Sequence, residues 1–154
     1  DSTVDEFTAD GLFNKVRGKR NIAVIGFTAD GDMFGGFYSK AVTEQEKYFD
    51  PNIFVFSFES HGRCMTPQRF LMKEEMTERA NVWFDRNNDL GFVSFWVYGG
   101  GFCLGNERSD SFCGNLSLVF DGLRDTTLTG KNNGGDKDNG ENHRCIRLFA
   151  VQLE

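Results

Sequence analysis

The stretch Asn21–Phe37, NIAVIGFTADGDMFGGF, decides the fold. It reads as two apolar runs folded about a tight turn. Ile22, Ala23, Val24 and Ile25 are small or β-branched and suit a buried, pleated strand. Thr28-Ala29-Asp30-Gly31-Asp32 follows, and Gly31 can take the positive φ that a hairpin turn requires. Met33-Phe34-Gly35-Gly36-Phe37-Tyr38 then runs back, aromatic on both faces, with two adjacent glycines in its middle. Glycine weakens a strand unless another backbone or a bulky ring approaches closely there. A hairpin this apolar belongs at the centre of a sheet.

Working outward, the 154 residues fit one domain over 1–154 and can bury roughly two-thirds of their unfolded surface. Seventeen Phe against two Pro favour strands and a large, tightly packed core, and eighteen Gly favour many turns. The formal charge is −6, with the cations scattered. Lys15, Arg17, Lys19 and Arg20 make the nearest approach to a basic patch, and a nucleic-acid footprint needs a larger one. The chain opens on Asp1 and reads as a fragment of a slightly longer one. It contains no signal peptide and no membrane-spanning apolar run.

On the N-terminal side, Asp10 is placed to cap a short helix over Gly11–Arg17, with Leu12, Phe13 and Val16 on one face and Gly18 ending it. On the other side, Thr43-Glu44-Gln45-Glu46 has the capping-box pattern and predicts a helical turn through Tyr48, stopped before Pro51. Asn52–Phe58 predicts an interior strand, with Phe54, Phe56 and Phe58 on one face and Ile53, Val55 and Ser57 on the other. Between Thr66 and Ala80 the signals conflict, and the expectation is a strand at Phe70–Lys73 with little regular structure after it. Further strands are expected at Asn81–Phe84, Gly91–Tyr98 (ended by Gly99-Gly100-Gly101), Phe102–Gly105, Leu116–Phe120 and Cys145–Leu153. The last of these is expected to be covered on both faces. Gly130–Asn142 holds no apolar residue and reads as an exposed loop.

Several residue groups invite a chemical reading. Asp85-x-Asn87-x-Asp89 and Asp136-x-Asp138 offer oxygens at alternate positions, as calcium loops do. The first has Trp96 at its twelfth position, and the second has Gly140 one place early, so neither matches an EF-hand. The glycine runs Gly35-Gly36 and Gly99–Gly101 lack phosphate-loop spacing, and Gly130-Lys131 continues with Asn132 instead of Ser or Thr. His61, in a Ser60-His61-Gly62 turn, and Cys64 are the nearest thing to a hydrolase pair. A thiolate–imidazole pair also needs a positioned hydrogen bond and an orienting third group. Ser94, Ser109 and Ser111 lie in no nucleophile-elbow pattern.

Cys64, Cys103, Cys113 and Cys145 allow two disulfides or four free thiols. With His61 and His143 they form no finger or ribbon spacing for zinc. Cys103, between Phe102 and Leu104, reads as a small apolar side chain. Ordinary thiols are the first reading of all four. Cys113 near Arg108 and Cys145 after Arg144 are the better oxidation candidates, since adjacent cations lower a thiol pKa. Asn115-Leu116-Ser117 is a glycosylation sequon, relevant only to a secreted chain.

Taken together, N-I-x-V-I-G-F-T-x-D-G-D-x-F-G-G-F-x-S over Asn21–Ser39, the strand Asp50–Phe58, Gly91-Phe92 with Phe102–Asn106, and the closing I-x-x-x-x-V-Q-L-E of Ile146–Glu154 resemble TLDc domains in their divergent single-celled-eukaryote form. The chain departs from that family at Gly99–Gly101 and in its Val151–Glu154 terminus, which lacks the usual tryptophan. The resemblance implies a mostly-β, α+β fold: a two-sheet antiparallel β-sandwich with a few short peripheral helices. It also implies a non-catalytic, cytoplasmic, monomeric protein-interaction domain with no cofactor or metal, linked to oxidative-stress protection and to V-type ATPase subunits. The alternative from the residues alone is a β-sandwich module binding calcium or carbohydrate through Asp85–Asp89 or Asp136–Glu141. A hydrolase using His61 and Cys64 is the remaining class.

Overall fold

The hairpin forms as its sequence requires: β1 (Ile22–Thr28) pairs antiparallel with β2 (Met33–Tyr38), Ile25 opposite Gly35 and Val24 opposite Gly36. Gly31 takes φ +92° in the turn. The computed structural model describes residues 7–84, 92–97, 100–105, 113–130 and 143–154. Within these, β1 and β2 sit in the middle of a five-stranded antiparallel sheet with β4 (Phe54–Glu59), β5 (Gln68–Leu71) and β10 (Cys145–Gln152), in the order β10-β1-β2-β4-β5. A second antiparallel sheet runs β3-β6-β7-β8-β9, built from Lys47–Phe49, Asn81–Trp83, Val93–Val97, Gly100–Leu104 and Cys113–Gly114. Short helices flank the sheets: α1 (Ala9–Val16), a 3-10 helix over Glu74–Arg79, and α2 (Leu116–Val119). The protein is a mostly-β, α+β sandwich, as expected.

One apolar core joins the two sheets. Phe34 of β2 meets Phe102 of β8 edge-on, ring centroids 5.3 Å apart, and Tyr38 meets Phe84 and Phe95. The paired glycines have separate roles, because neighbouring residues in a strand face opposite ways. Gly36 faces inward, where a Cβ would stand 2.6 Å from the Phe95 ring of the opposite sheet. Gly35 faces outward, where a Cβ would press on the Val24 carbonyl and on Phe56.

Several local expectations need correction. Thr8, not Asp10, caps α1: its side chain accepts the Gly11 N–H at 3.0 Å, and the helix begins at Ala9. Asp10 instead accepts from Gln45 Nε2. No helix forms after Thr43. The Tyr48 hydroxyl oxygen gathers the backbone N–H groups of Thr43 and Glu44, and Tyr48 itself lies in β3 opposite Val82. Tertiary pairing overrides the local capping signal there. Leu116–Phe120 is not a strand: Leu116–Val119 is helical and only Phe120 makes a bridge, to Met72. Gly100 and Gly101 continue β8 instead of breaking the chain. The β5 strand ends at Leu71, and a 3-10 helix follows where irregular chain was expected. β10 is covered on one face only, with Ile146 55% exposed on the other.

Candidate functional site

Alternation along β4 puts Val55 and Ser57 in the core and Phe54, Phe56 and Phe58 on the outer face of the first sheet. The expected face assignment along this strand holds, and the strand is interior, between β2 and β5. Its outer face is an aromatic row. Phe37 of β2 stacks on Phe54 at 4.6 Å and 14°, and Phe56 packs beside Phe58 at 5.1 Å. Gly35, lacking a side chain, lets the Phe56 ring lie close over β2. Across the sheet, Ala23 and Ile25 of β1 with Val151 and Leu153 form an aliphatic bank. Between the two banks lies an open groove of about 360 Å³. Pro67, Gln68 and Arg69 close its β5 side. The Arg69 guanidinium lies 5.2 Å over the Phe54 ring, a cation–π placement.

A polar cluster forms where the β1–β2 turn meets the loop after β4. Asp32 is almost fully buried. Its backbone N–H donates to Thr28 Oγ1 at 3.0 Å. Its carboxylate pairs with Arg63, and His61 Nδ1 lies 3.0 Å from the same oxygen. A carboxylate only accepts, so Nδ1 carries the proton and the imidazole is held in one orientation. Arg63 also donates to the carbonyls of Thr127 and Leu128. Beside them, Glu59 Oε1 accepts the N–H groups of His61 (2.7 Å) and Ser60 (2.8 Å). Those two bonds, helped by the charges of His61 and Arg63, hold the Glu59 carboxyl below its ordinary value of 4.5. No sequence pattern joins Asp32 to Arg63, because 31 positions separate them, Asp32 reads as a residue of the hairpin turn, and Arg63 falls in no motif.

His61 thus has its orienting carboxylate, but in Asp32 and not in any residue near Cys64. Cys64 is half-buried, and its backbone N–H donates to Ser60 Oγ at 2.7 Å. Ser94 is buried with its Oγ 3.0 Å from Cys103 Sγ, so Cys103 packs inside as its neighbours suggested. Cys145 does not suit the oxidation role. Arg144 is exposed while Cys145 points into the core, where burial pushes its thiol up to about 12. Arg144 lies just before β10 and is exposed, and burial, not a neighbouring cation, sets the state of this sulfur. Cys64, Cys103 and Cys145 are free thiols. His143 is buried with its ring edge-on to Phe34.

Asn115 takes a left-handed conformation (φ 52°) at the start of α2. Lys15, Arg17, Lys19 and Arg20 are exposed along and after the end of α1, and Arg17 donates to the Thr43 carbonyl. The Asp85–Asp89 and Asp136–Glu141 oxygens, Ser109, Ser111 and the Cys113 side chain lie outside the described residues. Among the described residues no three His, Cys, Asp or Glu side chains converge on a metal-sized site. Nor is any helix among them long and apolar enough to cross a membrane. No family model matches the chain, and no curated protein matches it.

Proposed function

We propose that this chain is a TLDc-type domain acting without catalysis. It works as a cytoplasmic protein-interaction module on subunits of the V-type ATPase, in protection from oxidative stress. The order of the Asn21–Ser39, Asp50–Phe58 and Ile146–Glu154 motifs supports the family, as does the two-sheet antiparallel sandwich into which they fold. The outer face of the first sheet carries the interaction reading. Phe58, Leu71 and Val151 are exposed there by 42%, 52% and 42%, around the half-buried Phe54. Single exposed apolar side chains are ordinary, whereas a contiguous group of them marks a contact surface.

The test is retention of ATPase subunits from solubilised membranes by the immobilised chain. Wild type is expected to retain them, and Leu71→Lys and Phe58→Ser to retain much less. Recovery of no subunit over a range of salt concentrations overturns the ATPase assignment.

The Asp32–His61 contact favours one second reading, a hydrolase with His61 as general base, since an oriented imidazole is part of such a device. Any hydrolytic activity that survives His61→Ala undiminished rejects it.

A further inference from the structure

The groove on the outer face of the first sheet has two chemically different parts. Its body, from Ala23, Ile25 and Val151 across to Phe54, Phe56 and Phe58, is apolar; its β5 rim carries Gln68 and Arg69. Arg69 is exposed and its guanidinium carbon lies 5.2 Å from the centre of the Phe54 ring. No carboxylate among the described residues pairs with it, in contrast to Arg63, which is held by Asp32. A guanidinium beside an apolar floor supplies paired N–H donors, the geometry that receives a carboxylate.

Size narrows the occupant. About 360 Å³ lies at the small end of ligand pockets, which run from roughly 300 to 1,000 Å³. Ten residues line it, a ligand-sized recess within the wider outer face of the sheet. We propose that this groove binds a small amphipathic carboxylate, with an aryl or medium-length alkyl body on Phe54, Phe56 and Phe58 and its carboxylate paired to Arg69. The apolar body leaves water for the aromatic floor, and the head meets a cation that pairs with no carboxylate among the described residues. This binding function goes beyond the protein-interaction reading and does not depend on it.

The test uses the full chain with decanoate as probe, below its micelle concentration, followed by calorimetry and by methyl-resolved NMR. Decanol, of equal length and neutral, and decyltrimethylammonium, a cation, are the comparison probes. Decanoate is expected to shift the methyl signals of Ile25, Val151 and Leu153 and to bind at least about tenfold more tightly than decanol, the effect of one charge-assisted pair. Arg69→Gln, an exposed change, is expected to bring decanoate down to the level of decanol while leaving decanol unchanged. Val151→Phe, which fills the groove, is expected to weaken both. Equal binding of the three probes, undiminished decanoate binding by Arg69→Gln, methyl shifts elsewhere, or no binding at millimolar probe each overturn the proposal.

Discussion

Gly36 sits under the Phe95 ring with no room for a methyl group, so the second glycine of the hairpin is a packing requirement. Gly36→Ala is expected to cost about 1–3 kcal/mol by overpacking, and Gly36→Val more, in urea denaturation. Because the obstacle is a side chain, the double variant Gly36→Ala with Phe95→Leu should recover part of the loss relative to the sum of the single changes. Gly35→Ala meets the Val24 carbonyl, which no side-chain change removes, so Phe56→Leu should rescue it poorly. Full stability of Gly36→Val would reject this account of the hairpin.

Tyr38 carries the opposite problem. It is fully buried in the core, and its hydroxyl has no hydrogen-bond partner among the described residues. Tyr38→Phe removes a polar group that lost its water without compensation, and should stabilise the fold by about 1 kcal/mol. The same burial raises the Tyr38 pKa well above its ordinary 10.0, and it pushes the Cys145 thiol from 9.0 up to about 12. For both groups the unfolded chain deprotonates first. Their contribution is intact below pH 9 and is lost as pH climbs from 9 toward 12 and beyond. Stability measured against pH should therefore fall on the alkaline side, and the fall should be shallower in Tyr38→Phe and in Cys145→Ala. Alkaline limbs that superpose with wild type would show that neither group governs it.

At the scale of elements, the strands were legible where alternation or a continuous apolar run left one solution, as in β1, β2 and β4. Where the letters mislead, a contact from outside the short stretch decides the conformation. Thr43–Glu46 has the letters of a capping box, yet the Tyr48 hydroxyl takes the Thr43 N–H that the Glu46 side chain would receive in such a box, and the Glu44 N–H beside it. Leu116–Phe120 has strand letters, but Asp125 accepts the Ser117 N–H at 2.7 Å and the Lys73 ammonium bonds the Ser117 carbonyl. The tight approach of the Asn115 carbonyl to Gly100 fixes that turn against β8. For α1 the error was two positions in the cap. Thr8→Ala should cost about 1 kcal/mol of stability, the usual worth of an N-cap side chain. Asp10→Ala should cost clearly less, since its carboxylate bonds only the exposed Gln45 amide. Equal losses in thermal or urea unfolding would restore Asp10 as the cap.

For the whole molecule, the sandwich follows from the inward faces, whereas the groove and the polar cluster do not follow from any motif. The groove needs the end of β10, β1, β2, β4 and β5 side by side, and only the strand order supplies that. The cluster likewise joins three separated loops. Arg63 bonds Asp32 in the β1–β2 turn and the carbonyls of Thr127 and Leu128, so one side chain ties the central hairpin to the segment before Gly130. A buried pair of this kind is costly to break from one side, because the partner keeps its charge without compensation. Asp32 is 2% exposed at its side chain against 27% for Arg63, so the two halves are unequal. Arg63→Met leaves a carboxylate almost wholly out of water with the His61 N–H but no guanidinium, and should cost about 3 kcal/mol in urea denaturation. Asp32→Asn leaves a guanidinium with some access to solvent and two carbonyl partners, and should cost less. The double variant Asp32→Asn with Arg63→Met should lose less than the sum of the two, because it leaves no lone charge. Strict additivity would mean that Arg63 acts only through its carbonyl bonds, and that no charge pairing ties the central hairpin to the segment before Gly130.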